Sequence, residues 1–91
     1  MKRKELASEI TSFALEYGIF NTTMGTKEIE QKIEEQFIDC VFVEELINKI
    51  IVKTKDHEDI DTGRLINLLA ELERLRLELE YTKVDRKQIH I

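Results

Sequence analysis

The chain has 91 residues, with 19 acidic side chains against 14 basic ones, a net charge of −5 and no proline. That length makes one domain with a thin core, and the single cysteine, Cys40, rules out an intrachain disulfide. The apolar residues (42%) are abundant and periodic, which excludes a disordered chain, while the acidity disfavours nonspecific binding to nucleic acid, whose phosphates demand a basic face.

Absent proline and only three glycines also argue against a turn-rich β fold. The basic start, Met1 to Lys4, is followed by Glu5, Ser8 and Glu9, which interrupt any signal-peptide core. The longest nearly uncharged run, Phe37 to Val43, contains Asp39 and is far shorter than a membrane span. A soluble, cytoplasmic protein with no membrane association is expected, and sparse cysteine use suits a reducing compartment.

The first helix is expected from about Lys4 to Tyr17, with Leu6, Ile10, Phe13, Ala14 and Tyr17 on one apolar face. Gly18 follows where a left-handed residue commonly ends a helix. Ile19 to Gly25 reads as a loop, whose large side chains Ile19 and Phe20 should fold back onto the core. Thr26 offers an N-cap for the next helix, with Glu28 in its first turn. Ile29, Ile33, Phe37 and Cys40 step along one face, continued by Val43, Ile47, Ile50 and Ile51. No glycine or proline interrupts the run, so one middle helix is expected from Thr26 to about Lys53, bent near Asp39 to Val43. The alternative is a split there, with Asp39 capping a new helix.

Thr54 to Asp61 is a polar loop leading into a last helix, Thr62 to Val84. Asp59, Asp61 and Thr62 supply candidate cap oxygens at its start. Leu65, Leu68, Leu72, Leu75 and Leu79 form a packing seam on this helix. A second stripe, Ile66, Ala70, Leu77, Tyr81 and Val84, lies well to one side of it. Glu71, Glu73, Arg74, Arg76, Glu78 and Glu80 are spaced for intrahelical ion pairs, each worth only ~0.2–0.5 kcal/mol. Residues 84–91 read as a flexible polar tail. The expected fold is therefore all-α: a single domain over 1–91, built as a small antiparallel bundle of three helices.

No constellation of catalytic residues stands out, so no enzyme activity, cofactor, metal site or small-molecule substrate is expected. Asp61-Thr62-Gly63 matches the aspartic-protease tripeptide, but that chemistry needs a strand-loop carboxylate paired across a dimer. A helix start explains the same three residues. The acidic run Asp56 to Asp61 fails the calcium-loop pattern, because Gly63 falls one position early. Cys40, inside an apolar run, reads as a buried packing residue unless His57 or His90 lies beside it in space.

The expected function is that of a noncatalytic interaction or regulatory module, with a second copy or another helical protein as partner. Leu77, Tyr81 and Val84 are its candidate interface anchors, and Glu28, Glu34 and Glu35 a candidate acidic docking face. The alternative is a DNA-binding regulator of helix-turn-helix type entered at Thr26 to Ile29, with Lys49, Lys53 and Lys55 as a small basic edge. The glutamates exposed on the Thr26 helix oppose that reading, since recognition helices present basic or amide side chains.

Overall fold

A computed structural model describes the backbone of residues 1–89 and the side chains of residues 1–81. Its elements are four helices: α1 (Arg3–Glu16), α2 (Thr26–Glu35), α3 (Cys40–Thr54) and α4 (Thr62–Ile89). The all-α class holds, and the count of three helices does not. The expected middle helix is two, broken over residues 36–39. Asp39 makes the break: its backbone is extended at φ −108°, ψ 110°, and its carboxylate accepts the Val41 N–H, capping α3. Phe37 fills the turn from inside and is fully buried.

The other ends follow local chemistry. α1 stops before Gly18, which takes the left-handed conformation at φ 66°. Thr26 does not cap α2. Gly25 holds the cap position without a side-chain bond, and Thr26 is the first helical residue. At α4, Asp61 accepts the Arg64 N–H and so caps the helix, which accounts for its place in the Asp-Thr-Gly tripeptide. α4 continues to Ile89, past the expected end at Val84, while the side chains of residues 82–91, over most of which a flexible tail is expected, lie outside this description.

α1 packs against both α2 and α4, and α3 packs against α4. α4 runs antiparallel to α1: Arg64 at its start meets Glu16 at the end of α1, and Glu71 further along meets the N-terminal amine. The core joins Leu6, Ile10, Phe13 and Ala14 of α1 to Ile29 and Ile33 of α2, to Val43, Leu46 and Ile50 of α3, and to Leu68, Leu72 and Leu75 of α4. Ile19 is buried and Phe20 packs at the edge, so the loop folds inward as its composition requires.

Polar contacts fix the helices in register. Arg64 reaches Glu16 at 2.7 Å and Ser12 at 3.2 Å, with its guanidinium 5.4 Å from the Phe13 ring centre, tying α4 to α1. The Tyr17 hydroxyl accepts the Asp61 N–H at 3.1 Å, anchoring the start of α4 to the end of α1. The buried hydroxyls of Thr11 and Thr54 donate to the carbonyls of Ala7 and Ile50 in their own helices, so neither is left unpaired.

Candidate functional site

α4 has 28 residues, about 42 Å of helix at 1.5 Å per residue, and it carries two apolar stripes with opposite fates. The seam faces inward: Leu68, Leu72 and Leu75 are buried, while Leu65 and Leu79 pack at its ends. The offset stripe faces out. Ile66 is 61% exposed, Leu77 52% and Tyr81 70%, and Ala70 is exposed between them. The chain's own helices leave this stripe uncovered. Val84, the third expected anchor, lies beyond the described side chains.

Charge flanks the stripe on both sides. Arg76, half-buried on the α3 side, forks onto both carboxylate oxygens of Glu73 and reaches Glu80 at 2.9 Å and Glu44 of α3 at 3.6 Å. This hydrogen-bonded fork holds the Glu73 carboxyl below the ordinary glutamate value and raises the guanidinium further above its own. On the other flank Arg74 pairs with Glu71 at 3.9 Å, and Glu71 also receives the N-terminal amine at 3.4 Å.

The acidic residues of α2 do not form one face. Glu28 and Glu35 are exposed about one heptad apart, and Glu35 accepts from Gln31 at 3.3 Å. Glu34 lies round the helix from them, in a recess shared with Lys4, Lys27, Glu30 and Gln31.

Cys40 is half-buried at the first turn of α3, its Sγ 3.8 Å from the Arg76 carbonyl and 3.9 Å from Glu44. His57 sits past the opposite end of that 15-residue helix, edge-on to Tyr17 at 5.8 Å. About 20 Å of helix therefore separates the thiol from this imidazole. Among the described residues no group of three His, Cys, Asp or Glu side chains is placed to hold a metal ion. No helix among them is long and apolar enough to cross a membrane.

One feature escaped the sequence reading. Where α2 and α3 diverge from their shared turn, a recess of about 350 Å³ opens. Its lining joins the apolar residues Phe20, Met24, Ile29, Ile33, Phe42 and Leu46 to six polar or charged ones, Lys32 and Lys49 among them. These residues come from three separate segments, so no local pattern announces them.

No protein-family model, curated protein or solved structure matches this chain.

Proposed function

We propose that this protein is a noncatalytic intracellular association module that pairs with a second copy of itself through the outer face of α4. The observation that carries the reading is the exposed line Ile66, Ala70, Leu77 and Tyr81 beside a seam already filled. Single exposed apolar side chains are ordinary, but these four fall in one line along a single helix, which is what a packing surface for a second helix requires.

The spacing favours a second copy over an unrelated helix. The steps between these four residues are four, seven and four, a pattern that reads the same in both directions. Two antiparallel copies with a two-fold axis between residues 73 and 74 set Ile66 opposite Tyr81 and Ala70 opposite Leu77. Each large side chain of the inner pair then meets a small one. Glu73 and Arg74 of both copies gather round the axis with no net charge. A surface complementary to itself is what a two-fold interface requires.

Sedimentation across a concentration series tests this. Mass should rise toward twice the chain mass of 10.8 kDa, and Leu77→Glu should hold the protein at monomer mass with its helical signal unchanged. A wild-type monomer at high micromolar concentration would defeat the proposal.

The DNA-binding alternative finds little support in the geometry. α2, a short turn and α3 do follow in helix-turn-helix order. Yet the N-terminal half of α3, where base contacts are usually made, exposes Val41, Glu44 and Glu45 and no basic residue.

A further inference from the structure

α2 leans on α1 and α3 leans on α4, and the recess between α2 and α3 is what those two preferences leave open. We propose that it binds an amphipathic monoanion, a free fatty-acyl carboxylate of about ten carbons, at a site separate from the α4 face. Shape supports a compact ligand. Gln36 lies at the end where α2 and α3 meet, and the loop residues Phe20 to Thr22 and Met24 wall the other end. A volume of about 350 Å³ falls in the lower part of the range for small-molecule pockets, ~300–1,000 Å³. Counting a methylene at roughly one water's share of liquid volume, ~30 Å³, about a dozen carbons fill it, and a chain of about ten fits within it.

Chemistry supports the same class. Six of its lining residues, Phe20, Met24, Ile29, Ile33, Phe42 and Leu46, offer aliphatic, thioether and aromatic surface for an alkyl chain, and the other six are polar or charged. Both lysines that line the recess, Lys32 of α2 and Lys49 of α3, bring positive charge to its mouth in a chain of net charge −5. Lys49 is held in place with its ammonium 5.4 Å from the Phe20 ring centre. Glu45, the one carboxylate of the lining, limits the site to a single negative charge. The recess of similar volume around Lys4, Lys27, Glu30, Gln31 and Glu34 lacks an apolar floor and does not suit such a ligand.

The experiment is a titration of the full chain with decanoate below its aggregation threshold, followed by calorimetry and by methyl NMR. Decanol serves as the uncharged control. Expected is saturable one-site binding that moves the Ile29, Ile33 and Leu46 methyls, with decanol weaker by about tenfold. The variant Lys32→Gln/Lys49→Gln, altered only at exposed side chains, should keep its circular dichroism and bind decanoate no better than decanol. Three results each overturn the proposal: no saturable binding, equal affinity for acid and alcohol, or shifts confined to Ile66 and Leu77 on α4. None depends on whether the chain dimerises.

Discussion

Leu72 and Leu77 sit five residues apart on one helix and offer a comparison in which local effects cancel. Leu72 is 0% exposed in the middle of the core, whereas Leu77 is 52% exposed on the outer stripe. Replacing either with alanine changes intrinsic helix propensity by the same small amount, so the difference reports tertiary burial alone. Leu72→Ala removes the transfer energy of a fully buried side chain and leaves a cavity, at a cost of about 3 kcal/mol within the usual ~2–5 range. At ~4–8 °C per kcal/mol for a domain of this size, Tm falls by roughly 12–24 °C. For Leu77→Ala there is no internal cavity, and about half of the ~1.5–3 kcal/mol transfer term is already forfeited to solvent, so the monomer loses at most ~0.75–1.5 kcal/mol. The assay is urea unfolding followed by far-ultraviolet circular dichroism at low micromolar concentration. Repeating it at high concentration should enlarge the Leu77 effect and leave the Leu72 effect unchanged, because the proposed association would bury Leu77 and not Leu72. Equal losses for the two variants in the dilute sample would refute the division of α4 into an inner and an outer stripe.

Other consequences concern single contacts. Asp39→Ala should cost ~0.5–2 kcal/mol, because the Val41 N–H loses its cap, while Asp39→Asn restores most of that stability in the same urea assay. A loss shared equally by both variants would contradict the capping role. Gly18→Ala meets no atom within 4 Å, so its cost of about 1 kcal/mol comes from the positive φ alone; an unchanged unfolding midpoint would argue against the left-handed cap. The Glu73 carboxyl should titrate below the ordinary value of 4.5 in an NMR pH series and move back up in Arg76→Ala. Since the folded value is the lowered one, this pair's contribution is complete above the ordinary glutamate range and fades as pH falls through the lowered value. A Glu73 midpoint indifferent to Arg76 would refute the fork.

The sequence carried the helical class, the stop at Gly18, the inward loop at Ile19 and Phe20, and the seam of α4. Each of these rests on neighbouring residues or on a 3.6-residue period. The break at residues 36–39 was harder to read, because no glycine or proline marks it and the apolar stepping from Ile33 through Phe37 to Val43 continues across it. Only Asp39 betrays the new start, and an aspartate is as common on a solvated face as at a cap. The Thr26 cap went the other way: threonine suits the position, but the chain begins its helical dihedrals one residue earlier in the sequence than that role requires. The exposure of Ile66, Leu77 and Tyr81 was not decidable from periodicity, since two apolar stripes look alike whether one or both are covered. The recess between α2 and α3 depends on the angle between two helices and on a loop closing one end, which no pattern along the chain encodes.

The central claim is that the outer stripe of α4 meets its own copy in antiparallel register. Ile66 and Tyr81 lie fifteen residues apart on one helix, about 22 Å, too far for any contact within a chain. An isotope-filtered NOE experiment on an equimolar mixture of labelled and unlabelled protein, at high concentration, therefore reads the interface directly. The account predicts a cross-peak between the Ile66 methyls of one copy and the Tyr81 ring of the other. A dimer that shows no such cross-peak, with both side chains still open to solvent, would contradict it.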